Sequence, residues 1–205
     1  MSKGILVVAS GFSGAGKGTL LKRLLEKYDN YALSISATTR APRAGEQDGR
    51  EYFFRSREEF EALIQEGQLI EYAEYVGNYY GTPRAYVEKQ LESGKDVILE
   101  IEIQGALKIK EMFADALLLF VSPPSAQELE RRLITRGTED EKRIQNRLRR
   151  AGEEAEGIDA YDYLLINDDL ESCVDAMHSV IQSEHCKIQR NLGFVQTILQ
   201  ELKSL

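Results

Sequence analysis

A strand, a glycine-rich turn and a helix follow one another in the first 25 residues of the sequence. Residues 5–9 read Ile-Leu-Val-Val-Ala, an apolar run that is typical of a buried strand. Residues 11–19 read Gly-Phe-Ser-Gly-Ala-Gly-Lys-Gly-Thr, and leucines at 20, 21, 24 and 25 then recur at helical spacing. Further strands alternate with helices along the chain, which predicts an α/β fold with a parallel sheet covered on both faces. Ligands of such a sheet bind at the carboxyl ends of its strands, where the glycine-rich turn lies.

The spacing Gly11-x4-Gly16-Lys17 matches a phosphate-binding loop. Backbone N–H groups of such a loop face an anion, the lysine reaches the β- and γ-phosphates, and the helix dipole favours negative charge. A glycine-rich turn without a ligand is the alternative, which the flanking strand and helix disfavour. Gly18 stands where a Ser or Thr usually supplies a metal ligand, so Thr19 carries the first hydroxyl. The residues predicted to bind the triphosphate are Gly11, Phe12, Ser13, Gly14, Ala15, Gly16, Lys17, Gly18 and Thr19.

Composition favours one globular domain with inserted subdomains. The chain has 205 residues, of which 42% are hydrophobic and 29% charged, and no low-complexity linker divides it. A formal net charge of −8 disfavours a nucleic-acid polymer as partner. Because no apolar run approaches the ~20 residues of a membrane span, we expect a cytoplasmic protein without membrane contact. Cys173 and Cys186 are expected to be unpaired thiols, and their spacing from His178 and His185 disfavours a metal site.

Residues 34–82 are predicted to form a small β-rich insertion. Strands are expected at 33–36, 52–54 and 69–75, whereas residues 37–46 read as a polar loop. Ser56 and Glu59 form a capping box that predicts a helix ending at Gly67. Thr82 before Pro83 predicts the N-cap of the next helix.

The remaining segments complete the predicted sheet. Residues 97–102 are expected to form a buried strand, so that Glu100 and Glu102 point to the same face. Apolar strands are also expected at 116–121 and 163–166. Between them, residues 126–155 are rich in arginine and are predicted to form a pair of helices broken at Gly137.

Several motifs, in this order along the chain, resemble the guanylate kinase family. They are Ser-Ala-Thr-Thr-Arg-Ala-Pro-Arg-Ala-Gly-Glu at 36–46, Gly-Asn-Tyr-Tyr-Gly at 77–81, Glu-Ile-Glu-Ile-Gln-Gly at 100–105 and Asn-Asp-Asp at 167–169. The resemblance implies a P-loop NTPase three-layer core with a parallel sheet and two insertions. The core would comprise 1–33, 83–125 and 156–205, the GMP-binding subdomain 34–82, and a helical lid 126–155. It also implies the reaction ATP + GMP = ADP + GDP.

A pair of arginines suits the phosphate of a nucleoside monophosphate. Arg40 and Arg43 lie three residues apart in a loop, and both guanidinium groups can donate charge-assisted hydrogen bonds to a dianion. Two solvated arginines are the alternative. The resemblance assigns the GMP phosphate to Arg40, Arg43, Tyr52 and Tyr80.

Carboxylates suit recognition of guanine. Guanine presents N1–H and N2–H₂ donors side by side, which a carboxylate accepts, whereas adenine presents an acceptor at N1. A buried carboxylate left unpaired is costly, so such a site could favour guanine over adenine by ~10⁴. The resemblance assigns the base to Ser36, Glu71, Thr82 and Glu102, the alternative for Glu71 being a carboxylate on a surface strand.

The remaining assignments concern ATP and its metal. The resemblance places Arg132, Arg136 and Arg147 on the triphosphate and the transferred phosphoryl group, and Asn167 on the adenine. It places Glu100 near the GMP site, Mg²⁺ and Lys17, with an ion pair to Lys17 as the alternative. A place in the helix N-cap region is the alternative for Asn167.

The chemistry needs no general base, because a phosphate monoester oxygen is already anionic at neutral pH. Catalysis is then expected from positioning and charge neutralisation by Lys17, Arg40, Arg132, Arg136 and Arg147. Mg²⁺ is expected on phosphate oxygens and water, near Glu100 and Thr19, with no direct protein ligand assigned.

Several questions stay open at the level of sequence. ATP, GMP and dGMP are the expected substrates, and the chain is expected to be a monomer or a homo-oligomer. Two alternative functions remain: a non-catalytic guanylate-kinase-like module that binds phosphopeptides, and a kinase for another nucleoside monophosphate. Since water in an open site would hydrolyse ATP, 34–82 and 126–155 are expected to close over the core when both substrates bind.

Overall fold

The centre of the described chain is a five-stranded parallel sheet. The computed structural model describes residues 3–75, 77–135 and 141–205. The strands are β1 (Leu6–Gly11), β2 (Tyr31–Leu33), β3 (Ala37–Thr38), β4 (Phe53–Phe54), β5 (Leu69–Tyr75), β6 (Asn78–Pro83), β7 (Asp96–Glu100), β8 (Leu117–Ser122) and β9 (Tyr163–Ile166). The order of strands in the parallel sheet is β2-β7-β1-β8-β9. The helices are α1 (Lys17–Lys27), α2 (Arg57–Gln65), α3 (Arg84–Glu92), α4 (Ile103–Met112), α5 (Ala126–Thr135), α6 (Glu141–Ala155), α7 (Leu170–His185) and α8 (Leu192–Lys203).

Helices cover both faces of this sheet. Successive side chains of β1 point to opposite faces, so Val7 packs with leucines of α1 and apolar residues of α7, whereas Val8 packs with residues of α3 and α4. Both layers of side chains are buried. The three-layer α/β architecture predicted from the alternation of strands and helices is therefore confirmed.

The register of the sheet brings the glycine-rich turn and the acidic end of β7 together. Ala9 of β1 lies opposite Glu100 of β7, and Gly11 lies opposite Val121 of β8. Because all three strands run in the same direction, the segments that follow them leave the sheet at one edge. The loop after β1 and the carboxylate of Glu100 consequently lie side by side.

A second sheet with the order β4-β3-β6-β5 is built from residues of the 34–82 segment and Pro83. The predicted capping box is present at the start of α2: Ser56 Oγ accepts from the N–H of Glu59, and the Glu59 carboxylate accepts from the N–H of Ser56. Phe60 of this helix is fully buried and stacks on Tyr79 with a centroid separation of 5.3 Å. The helix is thus fixed against the small sheet.

Two strand predictions in this region are wrong. The strand expected at 33–36 instead spans Tyr31–Leu33, where it pairs with β7. The loop expected at 37–46 begins with strand β3, in which Ala37 lies between Phe53 and Gly81. A two-residue strand has no periodicity of its own, and only its partners, which are distant in sequence, define it.

The arginine-rich segment contains the predicted helical pair, α5 and α6. Residues 136–140, including Gly137 and the predicted site residue Arg136, lie outside the described residues. The helices enclose a small apolar cluster of Leu129, Leu133, Ile144 and Ala151, against which Phe12 of the glycine-rich loop packs. The pair is therefore joined to the loop by apolar contacts.

The end of the chain forms α7, a short 3-10 turn at Ile188–Arg190, and α8. Cys173 in α7 is buried and Cys186 is exposed, and both are free thiols, as predicted. None of the helices in the described ranges combines the length and apolar character needed to cross a bilayer.

Burial in the sheet predicts how substitutions affect stability. Leu119 is 0% exposed in central strand β8, whereas Leu164 is 55% exposed in edge strand β9. We expect Leu119→Ala to lower the free energy of unfolding by about 3 kcal/mol, and Leu164→Ala to lower it by less than ~1 kcal/mol. Urea denaturation of the two variants measures both values, and equal losses would contradict the described packing.

Candidate active site

Three glycines give the loop after β1 its shape. Gly11, Gly14 and Gly16 have φ values of 152°, 100° and 89°, which side chains of L-residues disfavour. At Gly11 an added Cβ would also lie 2.1 Å from the carbonyl oxygen of Val121. The loop therefore runs against the backbone of β8, and α1 begins directly after Gly16.

Lys17 lies at the first turn of α1, and its side chain folds back over the loop. Its Nζ donates to the carbonyl oxygens of Gly11 at 2.6 Å and Phe12 at 3.2 Å. The same side chain lines a cavity of about 410 Å³ with Ser13, Glu100 and Glu102. The structure thus brings the predicted triphosphate loop and the acidic residues after β7 to one cavity.

Asn167 and Arg132 hold the loop from the side of β9. Asn167 Nδ2 donates to the carbonyl oxygen of Ala15 at 2.8 Å, and Arg132 Nη1 donates to the same oxygen at 3.3 Å. Arg132 Nη2 also donates to the carbonyl oxygen of Asn167 at 2.8 Å. Asp169 is the N-cap of α7, and Asn167 lies two residues before it, with its side chain amide on the loop carbonyl. The sequence contains no signal for the contact between Asn167 and Ala15, which are 152 residues apart.

The arginines of the helical pair reach the loop at two points. Arg147 Nη1 of α6 donates to Ser13 Oγ at 3.1 Å. Arg132 Nε donates to Glu128 Oε1 at 2.7 Å, and the guanidinium groups of Arg131 and Arg132 lower the pKa of Glu128 to about 2. Glu128 is therefore ionised at neutral pH and orients Arg132, a contact that the sequence reading did not identify.

A second cavity, of about 610 Å³, lies between the small sheet and the residues after β7. The predicted site residues that line it are Ser36, Tyr52, Glu71, Tyr80, Glu100 and Glu102. Lys108 of α4 also lines this cavity and was not predicted. Gly105 of α4 lies beside Glu71. Lys108 follows Gly105 by three residues, so Gly105 and Lys108 lie on the same side of α4.

Thr82 lies in strand β6 and contacts Glu71. The N-cap of α3 is Pro83, so the predicted N-cap role of Thr82 is wrong. Instead, the buried Thr82 Oγ1 donates to Glu71 Oε1 at 2.8 Å. The cause is the pairing of β6 with β5, which extends through Pro83 and turns the hydroxyl toward the carboxylate.

Burial raises the pKa of Glu71 above its usual value. The hydrogen bond from Thr82 and the charge of Lys108 act in the opposite direction, because both favour the carboxylate. The cavity therefore contains a partly desolvated carboxylate with one oxygen already engaged, which suits a ligand with adjacent N–H donors.

The prediction that Glu100 and Glu102 lie on one strand is wrong. Strand β7 ends at Glu100, and Glu102 is the N-cap residue of α4. The turn between them is not visible in the residue pattern, because the apolar alternation continues through Ile101 and Ile103. Both carboxylate residues nevertheless line the same two cavities.

Arg40 is held by Glu46, another contact that sequence reasoning missed. Arg40 Nη2 donates to both carboxylate oxygens of Glu46 at 2.9 Å, and the N–H of Arg43 donates to Oε2 at 2.7 Å. The Arg40 guanidinium lies 5.3 Å from the centroid of the Tyr52 ring, and that ring lies 6.0 Å from the Tyr80 ring. Three of the four residues predicted to hold a monophosphate are thus together, whereas the Arg43 residue is exposed.

The Arg40–Glu46 pair predicts an effect on GMP binding. We expect Glu46→Gln to raise KM for GMP about fivefold and to leave kcat nearly unchanged. An amide at position 46 holds the Arg40 guanidinium less firmly than the carboxylate does. Steady-state kinetics with varied GMP and varied ATP measure the effect. Glu66→Gln, at an exposed position after α2, is the matched control, and an unchanged KM for GMP in Glu46→Gln would contradict the assignment.

Comparisons with known proteins show which family the chain resembles. A family model described as "Guanylate kinase" matches residues 3–184. The guanylate kinase of Oceanobacillus iheyensis is 51% identical over 97% of this chain and 97% of its own length. That of Streptococcus thermophilus is 49% identical over 97% and 96%, respectively.

A solved structure extends the likeness to three dimensions. The crystal structure of guanylate kinase from Anaplasma phagocytophilum matches with a TM-score of 0.72 and 37% sequence identity, covering 92% of this chain and 90% of that chain. The family model covers nearly the whole chain, and the resemblance stated from the motifs is confirmed. The chain belongs to the guanylate kinase family.

Proposed function

We propose that this chain transfers the γ-phosphoryl group of ATP to GMP, producing ADP and GDP. The observation that carries the proposal is the meeting of two cavities. Tyr52, Glu100 and Glu102 line both the cavity of the phosphate loop and the cavity that contains Glu71. A donor held at the loop and an acceptor held near Glu71 would therefore present their phosphates to each other where the two cavities adjoin.

Tyr52 and Tyr80 line the acceptor cavity, and Arg40 lies against the Tyr52 ring outside that lining, so this side of the cavity suits a phosphate. Arg40, Arg43, Tyr52 and Tyr80 are proposed to hold the phosphate, because guanidinium and phenol groups donate to phosphate oxygens. Ionised Arg40 forms a charge-assisted pair with Glu46, so its guanidinium is oriented before a phosphate arrives. This preorganisation reduces the entropy lost when the acceptor binds.

The other end of the acceptor cavity suits guanine. Thr82 engages Oε1 of Glu71, and we propose that the remaining lone pairs of the carboxylate accept from guanine N1–H and N2–H₂. Ser36 and Glu102 are proposed to complete the base contacts. Adenine would place an acceptor against the same carboxylate, which leaves the buried charge unpaired and accounts for discrimination between the two purines.

The transfer step depends on positioning and charge. An oxygen of the GMP phosphate attacks the γ-phosphorus, the new O–P bond forms as the bond to the β-γ bridging oxygen breaks, and ADP leaves with the bonding electrons. Lys17 is proposed to move from the loop carbonyls to the β- and γ-phosphates. Arg132 and Arg147, which already contact the loop, and Arg136, which lies outside the described residues, are proposed to neutralise charge on the transferred group.

Residues near the loop fit Mg²⁺, the metal that the family implies. Glu100 lines both cavities and Thr19 lies in the first turn of α1, and the carboxylate and hydroxyl are hard oxygen donors of the kind that Mg²⁺ prefers together with phosphate oxygens and water. When bound, the metal supplies charge neutralisation on the β- and γ-phosphates. The remaining finer proposals are that Asn167 contacts adenine, that dGMP is also a substrate and that the protein works in the cytoplasm.

Acceptor specificity tests the proposed reaction. ADP production is measured with GMP, AMP, UMP or CMP as acceptor, for the wild-type chain and for Lys17→Ala. We expect turnover with GMP, and a loss of ~100-fold or more in Lys17→Ala, because the phosphates lose a preorganised cation. Lys22→Ala, at an exposed position of α1, is the matched control.

Each alternative function has its own outcome in this assay. Turnover with AMP in place of GMP would contradict the base assignment. An absence of turnover with every acceptor would favour a non-catalytic binding module.

The raised pKa of Glu71 predicts a pH dependence. The carboxylate accepts hydrogen bonds from guanine only when ionised, so kcat/KM for GMP should fall as the pH falls through a pKa above the ordinary value of 4.5. The phosphate of GMP also titrates, with a second pKa near ~6, so the wild-type profile is divided by that of Glu71→Gln. We expect this ratio to fall toward acid pH, and a ratio that does not vary with pH would contradict the role of Glu71.

A further inference from the structure

Lys108 of α4 places a positive charge on the wall of the cavity that contains Glu71. Among the described residues that line this cavity, Lys108 is the only one with a positive charge. Lys17 lines the cavity of the phosphate loop instead, and Arg40 lies outside the lining and is paired with Glu46. The carboxylate side chains on the wall are those of Glu71, Glu74, Glu100 and Glu102. The cavity proposed for GMP, itself a dianion, therefore has an excess of negative charge that Lys108 offsets in part.

The first turn of α4 lies against the carboxylate of Glu71. A Cβ added at Gly105 would lie 3.8 Å from Glu71 Oε2, the distance of ordinary van der Waals contact. Lys108 follows Gly105 by three residues and lies on the same side of the helix. Thr82 donates to the other carboxylate oxygen, Oε1. Oε2 therefore faces the side of α4 to which Lys108 belongs.

The charge of Lys108 acts on Glu71 although the lysine itself is exposed. Burial raises the pKa of Glu71, and the hydrogen bond from Thr82 and the charge of Lys108 both lower it. Water in an open cavity screens the attraction between ammonium and carboxylate. A nucleotide that fills the cavity displaces this water, so the attraction strengthens when the base is bound.

The other titratable groups on the cavity wall do not supply this compensation. They are carboxylates and phenols, and negative neighbours disfavour a further negative charge. These groups belong to Tyr52, Tyr72, Glu74, Tyr80, Glu100 and Glu102. The phosphate of a bound GMP adds to the same negative charge. An ammonium group beside Glu71 opposes both contributions.

We propose that Lys108 is a positioning residue for the acceptor nucleotide: its ammonium group offsets the negative charge around Glu71, so that the carboxylate is available to the N–H groups of guanine. Lys108 acts through Glu71 and takes no part in the transfer of the phosphoryl group. The inference rests on the proposed GMP site. It adds to that site the group that makes an acidic cavity compatible with an anionic ligand.

Calorimetric titration of the full chain with GMP, without ATP, measures this role. We expect Lys108→Met to raise Kd for GMP about fourfold at ~20 mM salt and less than ~twofold at ~500 mM salt, because salt screens the lost charge. Lys108→Gln restores a hydrogen-bond donor without the charge and should behave like Lys108→Met, whereas Lys108→Arg should behave like the wild type. Lys89→Gln removes the same charge from an exposed position of α3 that lines neither of the two cavities, and is the matched control.

The pH dependence separates this role from a structural one. A lysine beside Glu71 favours the carboxylate, so in Lys108→Met the pKa of Glu71 is higher and the side chain is protonated at a higher pH. The ratio of the variant Kd to the wild-type Kd should therefore rise as the pH falls from ~8 to ~5.5. Titration of the GMP phosphate cancels in this ratio, because the ligand is the same. A change in packing alone would give a ratio that does not vary with pH.

Three results would overturn the inference. They are a Kd for Lys108→Met equal to that of Lys89→Gln, a ratio that varies neither with pH nor with salt, and recovery of affinity by Lys108→Gln but not by Lys108→Arg. The last result would assign Lys108 a hydrogen bond in place of a charge. Thermal unfolding shows that each variant is folded.

ADP production with GMP tests the proposed reaction separately. A chain that binds GMP with the expected dependence on Lys108 but produces no ADP would support this inference and contradict the reaction. A chain that produces ADP from GMP while Lys108→Met binds GMP as the wild type does would support the reaction and contradict this inference.

Discussion

The close approach of the glycine-rich loop to strand β8 is the constraint on which the site depends. Gly11 lies so near the carbonyl of Val121 that no side chain fits, and the loop then turns through two more glycines into α1. The side chains of Asn167 and Arg132 both donate hydrogen bonds to the carbonyl oxygen of Ala15 in this loop. The loop is thus fixed by backbone sterics and hydrogen bonds, so binding of the proposed triphosphate requires little further ordering of the loop.

The acceptor side is organised differently, by a hairpin of two consecutive strands and by one pairing of strands that are distant in sequence. The pairing of β5 with β6 brings Thr82 to Glu71, and the parallel register of β1 with β7 brings Glu100 beside the loop. Tyr52, directly before β4 of the small sheet, lines both cavities. The two cavities proposed for donor and acceptor therefore adjoin, because Tyr52, Glu100 and Glu102 contribute to the lining of both.

Local signals predicted the elements that depend on local interactions. The capping box at Ser56 and the alternation in 69–75 gave the correct helix start and the correct strand, because both patterns reflect contacts within a few residues. The errors and omissions have a common cause. The contact of Thr82 with Glu71 lies within a hairpin, the clamp of Glu46 on Arg40 lies within one loop, and the bond from Asn167 to Ala15 joins distant segments. All three depend on where individual side chains point, which leaves no periodic trace in the sequence.

The central claim is that the two cavities form one site in which a phosphoryl group passes from donor to acceptor without reaching water. A single turnover of [γ-32P]ATP on the wild-type enzyme, with and without GMP, tests it most directly by showing where the label goes. The account predicts label in the β-phosphate of GDP, formed only when GMP is present. Label released chiefly as inorganic phosphate in the presence of GMP would contradict the account.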